Sequence, residues 1–257
     1  MALIDSPRLT PRDRDHWARL EHLDHALSHD PDLDRLEAQG RTAVKQFAAT
    51  GSDWYVSVSW GKDSVVAAHI ALQVCPDAVL RWARAADVEM PECDAVRDAF
   101  LRMHPHARYE EIEYTFRVPL RFEPGHEAAP SQDALKEALT GRYVSGLRAE
   151  ESRMRRISIG HRGLVTPNTC RPIAHWDATH VFAYLHREGL PVHPAYAMTA
   201  GGYYDRRWLR VHPLGTALPG LSAVRGRDPV RWEELYYGDV LEAARQARAH
   251  MWKQEIP

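Results

Sequence analysis

The spacing of apolar positions changes several times along the chain, and each change predicts a different element. Between residues 1 and 50 the apolar residues fall at helical intervals in a charged background, Leu20, Leu23 and Leu27, then Leu33, Leu36, Val44 and Phe47. This predicts two amphipathic helices, an N-terminal helical extension over residues 1–50. The period then drops to two. Val56 and Val58 alternate with Ser57 in a strand over Tyr55–Ser59, which runs through Gly61 into a helix from about Ser64 with Val65, Ala68 and Leu72 on one face. A second strand is expected at Ala78–Ala83, then a helix with Cys93, Val96, Phe100 and Met103 as its stripe, and a third strand at Arg108–Tyr114. A short helix begun by Ser131 leads to a fourth strand over Tyr143–Leu147.

Beyond Arg148 the chain is polar and Arg-rich until Asp177, an expected N-cap for a helix that buries Val181, Phe182 and Leu185 and ends at Gly189 and Pro191. Residues 197–229 hold many Gly, Pro and Arg and read as a long, partly ordered loop before a helical tail ending near Lys253. Strands alternating with helices imply an α/β fold, a three-layer, mostly parallel open sheet with helices on both faces. The α/β unit is expected over 51–200, with 201–257 as an Arg/Gly-rich loop and helical tail on the same domain.

Charge narrows the partners only a little, since 33 Lys plus Arg face 35 Asp plus Glu, so any phosphate-binding surface is local. The three cysteines, Cys75, Cys93 and Cys170, form no CxxC pair. That pattern argues against a zinc ribbon, an iron-sulfur cluster or a disulfide framework, and makes a reducing cytoplasm the expected location. No stretch approaches the roughly 20 apolar residues of a membrane helix, and none of the 15 histidines forms HExxH or another strong zinc pattern, so no structural zinc is expected.

The chemistry concentrates in Ser57-Val58-Ser59-Trp60-Gly61-Lys62-Asp63-Ser64, between a strand and a helix. Backbone N–H groups and the helix dipole make such a place an anion site. Gly61 allows close backbone approach, Ser59 and Ser64 offer hydroxyls, Lys62 a positive charge, and Asp63 a carboxylate suited to a hydrated magnesium ion. It is not a Walker loop, because Asp63 follows Lys62 and Val56 stands where the first glycine of that pattern belongs.

The segment resembles the SGGKDS loop of the PP-loop ATP pyrophosphatases, with Trp60 replacing the first glycine. Downstream, Gly146-Leu147-Arg148-Ala149-Glu150-Glu151-Ser152 is similar to the GxRxxES element of the phosphoadenylyl-sulfate reductase-like branch. A strand ending at Leu147 would deliver Arg148 to the carboxyl edge of the sheet, where it can grip phosphate or sulfate by a charge-assisted fork. Glu151 is placed to orient Arg148 or help hold a metal, and Arg153, Arg155 and Arg156 add positive field. A third stretch, Arg171-Pro172-Ile173 to Trp176, Tyr184, and Gly189-Leu190-Pro191 to Tyr196, resembles the family's RPIxxW…VxxYL…GLPxxPxY pattern. There Arg171 is the candidate ligand residue and the aromatics are expected to build structure. The resemblance covers roughly residues 45–200 and implies ATP as substrate, magnesium arriving with it, and the binding residues Ser57, Ser59, Trp60, Gly61, Lys62, Asp63, Ser64, Gly146, Arg148, Glu151, Arg153 and Arg171. Lys62, Asp63 and Arg148 would be catalytic.

Two departures limit the analogy. No cysteine follows Cys170, so the C-terminal cysteine motif through which the family's reductases work is missing, and thiol-based reduction is not expected. Ala85 and Ala86 stand where relatives carry an Asp-Thr pair, leaving Asp87 or Glu89 as substitutes for base and sugar recognition. The expected reaction is attack of an acceptor oxygen on the α-phosphorus of ATP with release of pyrophosphate. The resemblance places it in sulfur activation or in thiolation of a nucleic acid or small molecule, with a sulfur donor such as a cysteine desulfurase as partner. Two rivals are an ATP-switched nucleic-acid-binding accessory, suited by seven arginines against two acids between Arg142 and Arg171, and a non-catalytic nucleotide-binding subunit.

Overall fold

The computed structural model describes residues 1–115, 120–122, 133–217 and 228–255. In its first half the chain runs β1 (Ala2–Leu3), α1 (Pro11–Leu27), α2 (Pro31–Ala49), β2 (Trp54–Val58), α3 (Lys62–Val74), β3 (Val79–Ala85), α4 (Cys93–Met103) and β4 (Arg108–Tyr114). The second half runs α5 (Asp133–Ala138), β5 (Arg142–Val144), α6 (Arg153–Arg162), β6 (Thr169–Cys170), α7 (Ala178–Arg187), β7 (Pro191–Val192) and α8 (Pro229–Glu255).

Five strands form one parallel sheet in the order β4-β3-β2-β5-β6, while β1 and β7 make a separate parallel pair. Val56, Leu80, Val144 and Cys170 stand side by side in register and are fully buried. Each parallel neighbour needs a crossover, and these supply the helices on both faces. α3 and α4 cover the apolar side, where Trp60 packs edge to face on Trp82 and at a tilt on Phe100 and Tyr109. On the other side α5 lies against β4, and Tyr55 stacks on Tyr143 with Arg81 over its ring. α3 is buried on nearly every side, because β2, α2 and α7 all pack on it.

Four expectations change. In α1 the inward face is Asp13, Trp17 and Asp24, and Leu23 is 50% exposed. The apolar stripe misleads because the helix buries carboxylates with distant partners: Asp24 holds Arg206 through two bonds, and Asp13 accepts the N–H groups of Thr199 and Gly201 and the Tyr236 hydroxyl. Met103 likewise stands 44% exposed at the end of α4. The Arg-rich stretch after Arg148 contains α6, capped by Ser152, whose side chain accepts the Arg155 N–H. Arginine is a good helix former, but Ile159 is the one buried residue in α6, so no apolar period announces it.

The fourth strand stops at Val144, short of Leu147. Residues 197–217 form neither helix nor strand, yet are pinned by Arg206 and by the buried side chains of Tyr204 and Leu214. Ser131 lies outside the described residues. The Asp177 cap is in place, accepting the His180 N–H at 2.8 Å. Among the described residues no helix is long and apolar enough to cross a membrane.

Candidate active site

Adjacent parallel strands whose connections leave in opposite directions open a crevice at their carboxyl ends, and β2 and β5 are such a pair. The loop Ser59–Ser64 leaves β2 there, and Ser145–Arg148 leaves β5. Between them lies a cleft of about 290 Å3, walled by Ser57, Ser59, Gly61, Asp63 and Ser64, by Ser145, Gly146 and Glu151, and by Arg155, Tyr196, Arg210 and His212.

The loop is held open by its own hydroxyls. Ser64 Oγ accepts the Ser59 N–H at 3.1 Å and donates to the Gly61 carbonyl at 2.9 Å. Gly61 is the N-cap of α3 and offers no side-chain cap, so the first-turn N–H groups of Asp63 and Ser64 have no acceptor within the helix. The Lys62 N–H instead donates to the Tyr196 hydroxyl at 3.0 Å, and a Cβ on Gly61 would come within 2.9 Å of that oxygen. The need for glycine here is thus set by a tyrosine 135 positions on as much as by any ligand.

Trp60 adopts φ 57°, a left-handed conformation that costs a non-glycine residue about 1–2 kcal/mol. This explains why glycine serves there in the loop that it resembles. Its indole is fully buried against Trp82, Phe100 and Tyr109, so the side chain anchors the loop, and Trp60 does not line the cleft.

Lys62 and Arg148 are not arranged as expected. Their side chains are 2% and 1% exposed, and neither belongs to the cleft wall. Both turn to Asp63: Lys62 Nζ lies 2.8 Å from Oδ2, and Arg148 Nε lies 2.7 Å from Oδ1. The other arm of Arg148 meets Glu150 at 2.6 Å, so its fork grips carboxylates rather than the cleft. Burial by itself would raise the Asp63 carboxyl, but Lys62 and Arg148 hold it below the ordinary carboxylate range. An aspartate engaged by a cation on each oxygen is a strut between α3 and the β5 loop, and does not fit the open magnesium ligand expected of it.

The cations that do face the cleft are Arg155 and Arg210. Both pair with Glu151, which also accepts the Arg148 N–H at 3.1 Å. Glu151 is therefore occupied as well. Arg153 opens α6 on its exposed side, and Arg171 follows β6; neither lines the cleft. Tyr196 and His212 line the cleft without any motif that marks them as ligands: Tyr196 falls in the stretch whose aromatics are expected to build structure, and His212 in one with no periodic signal.

Gly146 lets the two loops meet. A Cβ there would come within 2.5 Å of the Asp63 carbonyl oxygen and 2.8 Å of the Ser64 nitrogen. Elsewhere at the sheet edge, Asp87 pairs with Arg248 at 2.6 Å, and Glu89 turns inward to accept the N–H groups of Ala85 and Met90. A second cavity of about 420 Å3 opens beside Ala86, Ile112, Tyr114 and Thr115. None of the thiols reaches the cleft wall. Cys75 caps the far end of α3, roughly 20 Å from the loop at the helical rise per residue. Cys93 and Cys170 are buried, which raises both thiols, that of Cys170 to about 12.

The phosphoadenosine 5'-phosphosulfate reductase of Synechococcus sp. is 26% identical over 197 residues, covering 68% of this chain and 85% of that protein. The phosphoadenosine 5'-phosphosulfate reductase of Shigella dysenteriae is 26% identical over 199 residues, covering 68% and 80%. Among solved structures, the phosphoadenylyl-sulfate reductase of Candida auris in a phosphate complex aligns with a TM-score of 0.42 at 12% identity, over 72% of this chain and 96% of that one. The U34-tRNA thiolase NcsA of Methanococcus maripaludis, with its 4Fe–4S cluster, aligns with a TM-score of 0.42 at 11% identity, over 87% and 82%. The phosphoadenosine phosphosulfate reductase domain matches residues 53–205, which include the loop, the Gly146–Glu151 element and Tyr196, and the chain belongs to that family.

Proposed function

We propose that the chain binds ATP with its phosphates in the β2/β5 cleft and transfers the adenylyl group to an acceptor, releasing pyrophosphate. The observation that carries this reading is the cleft itself: Asp63 and Ser64, in the first turn of a helix without a side-chain cap, line it together with Arg155 and Arg210, and no thiol lines the wall. In the reaction an acceptor oxygen forms a bond to the α-phosphorus, the bond from that phosphorus to the bridging oxygen breaks, and pyrophosphate leaves with the electron pair. The acceptor's proton passes to solvent.

The chain's part is positioning and charge neutralisation. Arg155 and Arg210 exchange their shared carboxylate for phosphate oxygens, the α3 N-terminus binds the leaving group, and the Lys62–Asp63–Arg148 strut keeps the two loops in register. The cavity beside Ala86 and Tyr114 is the natural seat for the base. Product analysis with α-labelled ATP and magnesium tests the reading. AMP with pyrophosphate is expected, reduced about tenfold or more in Arg155→Ala through loss of a charge-assisted contact; ADP with phosphate would overturn it.

A second observation bears on the acceptor. α6 presents Arg153, Arg156, His161 and Arg162 outward with no acidic residue, and Met154 and Ile157 are exposed beside them. This favours a nucleic-acid acceptor, in a thiolation that draws on a separate sulfur donor such as a cysteine desulfurase. Binding of single-stranded RNA or DNA should then fall steeply with salt, and the triple variant Arg153→Ala, Arg156→Ala, Arg162→Ala should flatten that slope by about two to three units. An unchanged slope would exclude α6 as the contact.

A further inference from the structure

The cleft wall contributed by residues 210–212 lies beyond the family match, which ends at residue 205. His212 lines the cleft with its side chain 25% exposed and has a partner on each ring nitrogen. Nδ1 is 3.0 Å from the Arg210 carbonyl oxygen, and Nε2 is 2.7 Å from Glu233 Oε1 on α8.

A carbonyl oxygen only accepts, so Nδ1 carries a proton. Glu233 is fully buried; its Oε2 accepts the Gly215 N–H at 3.0 Å and forms an ion pair with Arg121 at 2.9 Å. The Gly215 N–H and Arg121 both fall on Oε2, which leaves Oε1 as the acceptor of a proton on Nε2. A ring with protons on both nitrogens is an imidazolium.

We propose that Arg210 and the charged His212, backed by Glu233, form an anion seat in the far wall of the cleft that takes the terminal phosphate of the nucleotide and the pyrophosphate derived from it. The proposal rests on the cleft being a polyphosphate site but not on cleavage taking place there. Arg210 and Arg155 share one carboxylate, Glu151, with Arg210 at the stretched distance of 3.4 Å, so a phosphate dianion offers both a better partner than they have. His212, already committed to Glu233 and the Arg210 carbonyl, acts as a fixed charge. It faces Glu233 from α8, Arg121, Arg210 from its own segment and Glu89 from the loop after β3. Burial would lower its pKa, but the bond to Glu233 and that residue's charge prevail and raise it. The charge is therefore present below the ordinary histidine value and is lost as pH rises through the higher folded value.

Calorimetric titration of the full chain with pyrophosphate, wild type against His212→Gln, tests the seat across about pH 6 to pH 9, a span that brackets the histidine range. The ratio of the two Kd values is read, which cancels the titration of pyrophosphate itself. At the acid end the variant is expected to bind about five- to tenfold more weakly, and the ratio to shrink toward one at the alkaline end. Glu233→Gln, checked for folding by circular dichroism, should move the midpoint of the wild-type pH profile to lower pH. Equal affinities at every pH, or a ratio that does not change with pH, would overturn the seat. The outcome is separable from the reaction proposed above: a chain that binds pyrophosphate in this way but releases none from ATP keeps the seat and loses the cleavage.

Discussion

Gly146→Ala is expected to cost the chain its nucleotide affinity, by about a hundredfold or more, for the sake of one methyl group. The added carbon would lie 2.5 Å from the carbonyl oxygen of Asp63, 2.6 Å from its carbonyl carbon and 2.8 Å from the nitrogen of Ser64. All three atoms are backbone in the first turn of α3, so no side chain can swing aside. The β5 loop must instead retreat from the helix, widening the crevice and drawing Arg148 from Asp63 and Glu151 from the cleft floor. Overpacking of this kind also destabilises by about 1–3 kcal/mol. Gly160→Ala is the control, because its Cβ would enter open space on α6 and alanine favours a helix. Calorimetry with ATP and thermal melts on both variants check the prediction, and wild-type affinity in Gly146→Ala would refute it.

Asp63→Ala is expected to lower stability as well as activity. Lys62 and Arg148 would face one another in a buried space without the carboxylate that separates them, and stranding buried charges costs about 3–5 kcal/mol. For a chain of this length that is a fall in Tm on the order of 10 °C. Adding Lys62→Met to Asp63→Ala removes one of the stranded cations and should recover part of the loss, a coupling that a double-mutant cycle reads directly. Lost activity in Asp63→Ala alone would therefore not identify a catalytic carboxylate. An unchanged melting temperature would show that Asp63 is no strut and restore it as a candidate metal ligand.

Four strands of the five-stranded sheet were legible in the sequence because they follow the simplest rule, whereas β6 is only two residues long and carries no period. Val56, Val58 and Leu80 alternate or cluster as buried parallel strands do, and the expected β4 coincides with the observed strand, Arg108–Tyr114. The β2–loop–α3 unit was legible because strand, glycine and helix signals coincide within a few residues. What remained hidden depends on partners distant in sequence. The inward face of α1 is polar because Arg206 and Tyr236 complete it, and nothing near Asp13 or Asp24 announces those partners. α6 is a helix without an apolar stripe. Lys62 and Arg148 carry the residue types of phosphate ligands, but only the geometry shows that Asp63 and Glu150 hold them below the surface. The cleft-facing cations Arg155 and Arg210 looked, by type alone, no different from the other arginines around them.

The stitching of the two ends of the fold bears on how the site comes into being. Arg8 bonds to Asp239 across 231 positions, Asp24 to Arg206 across 182, and β1 pairs with β7. Contacts so far apart in sequence form late, since a long loop must close before they yield any stabilisation. A chain emerging from the ribosome would display the loop Ser59–Ser64 well before Arg210, His212 and Glu233 have been synthesised. The nascent protein would thus carry one wall of the cleft before the other exists, and the facing wall is complete only once α8 has supplied Glu233.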